Sequence, residues 1–226
     1  MSGDNPVSIT VTPDCIVSGV ARIPTSAESC FIFAHGAGAG MFHPFMQAVA
    51  DGLQARRIAS LRYQFPYMEQ HSRRPDPAPL CHATVRAAVA AAHDLLPGLP
   101  LFAGGKSFGG RMTSQTQAAS PLPHVRGLCF FGFPLHPAKK PSVTRAEHLS
   151  RVTIPMLFLQ GTRDALAELD LIRSEVEKLD ARATLKLADQ ADHSFHVPAR
   201  SGKSDSQILE EMLGAFATWT QAVTRA

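Results

Sequence analysis

The chain has 226 residues, 45% hydrophobic and 18% charged, with a formal net charge of +3; this supports one core of ordinary size and excludes a disordered chain. Basic residues occur at most in pairs (Arg56-Arg57, Arg73-Arg74, Lys139-Lys140), the pattern of a solvated surface and not of a nucleic-acid footprint. No run reaches the roughly 18 apolar residues that cross a bilayer, no basic and apolar leader opens the chain, and Cys15, Cys30, Cys81 and Cys129 form no C-x-x-C pair, so the expectation is a cytoplasmic single domain over residues 1–226, without membrane, nucleic acid or structural metal.

In chain order, residues 7–11 and 15–23 flank Thr12-Pro13-Asp14 and predict an antiparallel pair. Residues 30–34 form a short apolar run ending in glycines, a buried strand feeding a loop. Further strands are predicted at 58–62, 100–103, 125–131, 154–159 and 183–187, and helices at 45–56, 80–96, 108–119, 165–179 and 207–224. Strand and helix alternate, which predicts an α/β fold with a mainly parallel, doubly wound sheet of about eight strands. The proline-rich stretches 64–79 and 134–141 fit neither period and read as surface loops.

Chemistry concentrates where the strand at 100–103 runs into Gly104-Gly105-Lys106-Ser107-Phe108-Gly109-Gly110 and then into a helix. This is G-x-S-x-G in a strand-turn-helix context, the setting of a nucleophile elbow. Small residues two positions either side of the serine let strand and helix nearly touch, and the helix N-terminus behind Ser107 favours developing negative charge. A phosphate-binding loop would share Gly105-Lys106-Ser107, but its first glycine falls on Pro100.

A serine hydroxyl needs a base, and the base needs an orienting carboxylate. Asp164 follows the strand at 154–159, with Asp170 as a rival, and His193 follows the strand at 183–187, with Asp189, Asp192 and His196 nearby as turn and surface groups. All three groups thus fall at C-terminal strand ends, where an open parallel sheet builds its site, and in the order Ser, Asp, His. The glycine-rich loop His35-Gly36-Ala37-Gly38-Ala39-Gly40 is suited to aim a backbone N–H at an oxyanion: Ala37, or alternatively Gly38, with Phe108 as second donor. As a dinucleotide fingerprint it fails, because Met41 stands at the third small position.

Over nearly its whole length the chain resembles the α/β-hydrolase superfamily. Leu61-Arg-Tyr-Gln-Phe-Pro-Tyr67, Gly104-Gly-Lys-Ser-Phe-Gly-Gly-Arg111, Phe131-Gly-Phe-Pro-Leu-His-Pro137 and Leu159-Gln-Gly-Thr-Arg-Asp164 are similar to the subgroup of testis-expressed and NSL-complex hydrolase-like proteins, related to dienelactone hydrolases. The resemblance implies Ser107 as nucleophile, Asp164 as acid and His193 as base, with a cap reduced to about residues 134–150. The expected function is hydrolysis of a small ester or thioester without a cofactor, by a monomer or homodimer; a non-catalytic interaction module on the same fold is the alternative. Met41, Phe42, Arg62, Phe65, Phe133, His136 and Phe195 are the expected pocket residues, joined more loosely by Tyr67 and by Lys139 on the short insertion.

Overall fold

The computed structural model describes residues 3–72 and 74–225; Arg73, half of one basic pair, and the terminal residues 1, 2 and 226 lie outside them. Strands β1 (Asn5–Thr12) and β2 (Cys15–Arg22) form the expected antiparallel pair. They join β3 (Ser29–Ala34), β4 (Ile58–Tyr63), β5 (Leu101–Lys106), β6 (Val125–Phe131), β7 (Met156–Gly161) and β8 (Ala183–Ala188) in one eight-stranded sheet of order β1-β2-β4-β3-β5-β6-β7-β8. From β4 to β8 every neighbouring pair is parallel.

Period-two alternation in the central strands builds two cores. Cys30, Ile32 and Ala34 of β3, with Leu128 and Phe130 of β6, face one layer; Phe31 and Phe33, with Cys129 and Phe131, face the other. Helices α3 (Ala78–Leu95), α4 (Phe108–Ala119) and α5 (Leu169–Glu177) cover the first face through Val85, Ala88, Met112 and Ile172. Helices α1 (Pro44–Ala55) and α6 (Asp205–Arg225) cover the second through Val49, Leu53, Leu213 and Phe216. Burial on both faces is why these strands read as continuous apolar runs.

Several elements differ from the sequence reading; β7, for example, runs two residues later than the expected 154–159. Strand β5 continues through Gly104 and Gly105, residues that ordinarily weaken a strand, because a side chain at Gly104 would collide with the Cys129 backbone on β6. Helix α5 starts at Leu169 and not at 165, since the Asp164 carboxylate captures the Leu166 amide at 2.8 Å and turns the chain first. A four-residue helix, α2 (Pro66–Glu69), lies within the stretch read as loop. Residues 134–150 form no cap: a 3-10 stretch, Thr144–Arg151, lies against α4, where the imidazole Nε2 of His148 meets the Ser114 hydroxyl at 2.7 Å. Among the described residues no helix is long and apolar enough to cross a membrane.

Candidate active site

Ser107 sits between the last residue of β5 and the first of α4, with φ 51° and ψ −113°. A non-glycine residue pays for a positive φ, and the neighbouring packing holds it there. A Cβ on Gly105 or Gly109 would lie 2.6 Å from the Ala34 carbonyl oxygen, so only bare backbone lets β5, α4 and the end of β3 meet. The same feature had marked the turn in the sequence.

The structure brings Ser107, His193 and Asp164 together. The Ser107 Oγ lies 2.8 Å from His193 Nε2, and His193 Nδ1 lies 2.7 Å from Asp164 Oδ2. The Asp164 side chain is fully buried, while that of His193 is 22% exposed, so of these two groups it is the imidazole that reaches toward solvent. Asp164 also accepts from the Leu166 amide on Oδ1 and from Gln160 Nε2 at 2.5 Å on Oδ2. With the Asp164 oxygens acting as acceptors toward all three neighbours, His193 donates through Nδ1–H and its Nε2 is left to accept from the serine. Asp170 is exposed in the first turn of α5, and Asp192 shapes the His193 loop by accepting the amides of Ser194 and His196.

Gln160 was not anticipated. It bridges the site, donating to Asp164 and accepting from the Phe133 amide at 2.9 Å. Its one signal in the sequence is an amide at a strand position that burial reserves for apolar side chains.

In the glycine-rich loop the Gly38 N–H donates to the Tyr67 hydroxyl at 3.2 Å. Neither the Ala37 nor the Phe108 N–H has an acceptor among the described residues, and Ala37 borders the cleft beside Ser107. His35 sets the loop: its Nδ1–H donates to the Gly36 carbonyl at 2.7 Å and its Nε2 accepts from the Phe65 amide at 3.1 Å, a neutral tautomer that burial enforces by lowering its pKa to about 4. His136 does the same for the acid loop, donating to the Pro137 carbonyl at 2.9 Å and accepting from the Glu168 amide at 3.3 Å.

The cleft over Ser107 has a volume of about 380 Å³ and is walled by Ala37, Ala39, His43, Phe45, Met46 and Leu166, with Lys106 and His193 at its floor. None of the seven expected pocket residues lines it, nor does any residue of the 134–150 segment. Arg62 is fully buried and engaged by Asp4, Gln47 and the Met41 carbonyl, so it anchors the N-terminal segment and offers no anion-binding rim. Met41 is buried, Phe133 packs between Phe130 and Phe158, and Phe65 is enclosed by His35, Tyr63, Tyr67 and Phe108. Phe42 is 61% exposed, on a shallow surface beside β1 and β2. His136 is the buried latch just described, Lys139 is exposed, and Phe195 backs the cleft by stacking on Phe45 from behind. Near a strand end, a side chain belongs to the pocket or to the core according to which face it points to: Met41, Phe65 and Phe133 turn into the core, and Phe42 turns to the outer surface.

The model of an alpha/beta hydrolase domain family matches residues 27–221. Among solved structures, a dienelactone hydrolase from Anabaena variabilis superposes with a TM-score of 0.76 at 21% identity, covering 97% of each chain. An alpha-beta serine hydrolase homologue from Coxiella burnetii gives 0.73 at 17% identity over 94% of this chain and 96% of that one. An a/b serine hydrolase without lid from Xanthomonas campestris gives 0.71 at 17% identity over 96% of each.

Proposed function

We propose that this chain, which belongs to the alpha/beta hydrolase domain family, is a serine hydrolase that cleaves a small carboxylic ester or thioester through an acyl-enzyme. The observation that carries this is the hydrogen-bonded line from buried Asp164 through His193 to the Ser107 hydroxyl, 2.7 and 2.8 Å long. In the proposed cycle His193 Nε2 takes the proton of Ser107 as Oγ adds to the carbonyl carbon, and Asp164 stabilises the imidazolium that forms. The Ala37 and Phe108 amides, which have no acceptor among the described residues, donate to the tetrahedral oxyanion. His193 then returns the proton to the leaving group, and water repeats the sequence to release the acid. Within the family, the strings at 35–40, 61–67 and 131–137 favour kinship with the testis-expressed and NSL-complex hydrolase-like proteins, whereas those around Ser107 and Asp164 are common to the superfamily.

The substrate class follows from the wall of the cleft. Phe45, Met46, Ala39 and Leu166 offer apolar surface to an acyl group, and nothing from the 134–150 segment extends this wall into a roofed channel. Short acyl chains should therefore be turned over faster than long ones. A fluorophosphonate probe should label Ser107, and kcat/KM should fall from p-nitrophenyl acetate and butyrate to palmitate. Absence of labelling on the folded chain would point to a non-catalytic module; a preference for palmitate would overturn the small-substrate assignment.

A further inference from the structure

Lys106, the residue before the serine, alone carries a formal charge among the described residues lining the cleft. Its Nζ donates to the backbone carbonyl of His193 at 2.6 Å. It lies 5.8 Å from the ring centroid of Phe45 and 5.6 Å from that of Phe195, and these two rings stack on each other at 5.8 Å with an 11° interplanar angle. A Cβ built on Gly132, at φ +69°, would stand 2.9 Å from this Nζ and 3.3 Å from both Nδ1 and Cε1 of His193. The ammonium and the imidazole therefore flank the same bare stretch of backbone.

This is an expensive place for a cation. Burial lowers the pKa of Lys106 to about 8, although Asp164 and Asp192 pull it the other way. A methionine would fill the same space without that cost, so the charge and the donor call for a role of their own. The groups facing the ammonium are His193 with its carbonyl, Asp164 from the β7 end, Asp192 from the base loop, and the two rings from α1 and that loop; His43 lines the same cleft.

We propose that Lys106 is a positioning residue for the base: its ammonium clamps the His193 carbonyl, holds the imidazole within reach of Ser107, and by its charge opposes premature protonation of Nε2. The inference rests on the assignment of His193 as base. The clamp spans the two segments that must stay in register, the elbow after β5 and the loop after β8. It reaches the main chain, so it fixes where the imidazole is hinged, while Asp164 fixes how the ring is turned.

The test compares wild type with Lys106→Met and Lys106→Gln, the latter keeping a neutral donor. Fluorophosphonate labelling of wild type at Ser107 comes first; without it, the hydrolase assignment and the clamp fall together. With labelling in hand, Lys106→Met should lower kcat on p-nitrophenyl acetate about 10- to 100-fold while KM stays within about threefold, as expected for a displaced base. The acid limb of kcat/KM against pH should move up by about 0.5 unit or more in both variants, because a cation near the imidazole is gone. Lys106→Gln should recover part of kcat and keep the shifted limb. A folded Lys106→Met with unchanged kcat and acid limb overturns the proposal alone, as does a change confined to KM, which would make Lys106 a substrate contact. Should Lys106→Met not fold, an unshifted limb in Lys106→Gln overturns it equally.

Discussion

Asp164 is set apart from the other aspartates of the site by how many donors it satisfies. One carboxylate accepts from Leu166, Gln160 and His193, and that crowding fixes which imidazole nitrogen faces Ser107. Replacement by asparagine would place an amide where an acceptor is needed and favour the wrong tautomer. Asp164→Asn should therefore lower kcat by roughly 10³ or more with the fold retained, as should Ser107→Ala and His193→Ala, whereas Asp170→Asn should leave kcat near wild type. Steady-state kinetics on one ester with circular dichroism as the fold control decide this; a crippled Asp170→Asn beside an active Asp164→Asn would reassign the acid. The sequence left Asp170 open because both aspartates follow the same strand, and only the direction of the chain after Gly161 separates a buried carboxylate from an exposed one.

At the scale of elements, the elbow is a problem of close approach. Gly105 and Gly109 stand where β5, α4 and the end of β3 converge, and an added methyl group would meet backbone atoms at 2.6 Å, which cannot move aside as a flexible side chain would. Gly214, in the middle of α6, has open space around its Cα. The two kinds of glycine should respond oppositely to the same substitution. Gly214→Ala should stabilise by about 0.5–1 kcal/mol through helix propensity, while Gly105→Ala and Gly109→Ala should destabilise by about 1–3 kcal/mol and abolish labelling of Ser107. Thermal denaturation with probe labelling measures both; a Gly109→Ala variant that melts and labels as wild type would remove the steric account of the turn.

On the scale of the whole molecule, histidines join segments that are distant in sequence and do so uncharged. His35 fastens the glycine-rich loop to the stretch after β4, and His148 fastens the 3-10 stretch to α4. Burial lowers each pKa to about 4, assisted at His148 by Arg111 and Arg151. The unfolded chain binds a proton at each near the ordinary value of about 6.5, so between there and about 4 it holds more protons than the folded chain. Stability should thus be full above about 6.5 and fall as pH drops toward 4, by about 2 kcal/mol per histidine between pH 7 and pH 5. Urea unfolding at those two pH values checks this: in His148→Gln the pH-dependent loss should shrink by about one histidine's share, and an unchanged loss would assign the acid sensitivity elsewhere.

What the sequence determined by itself was everything that depends on local pattern. Apolar runs and their spacing specified the alternating elements, and G-x-S-x-G after a strand marked Ser107 because the steric demand of the elbow is met by residues two positions away. Asp164 and His193 were legible because a parallel sheet sends the ends of β7 and β8 to the same edge as β5, so chain order stands in for proximity. Only the tertiary structure decided the walls of the cleft. Phe45, Met46 and Leu166 reach it from the start of α1 and from the turn after Asp164, and whether they face the cleft depends on how that helix and that turn are seated on the sheet. The same holds for Lys106 and Gln160, whose partners lie 87 residues away at His193 and across the strand end at Phe133. A polar side chain in a buried run announces that it has a partner; which partner it has is settled by packing that joins segments far apart in the chain.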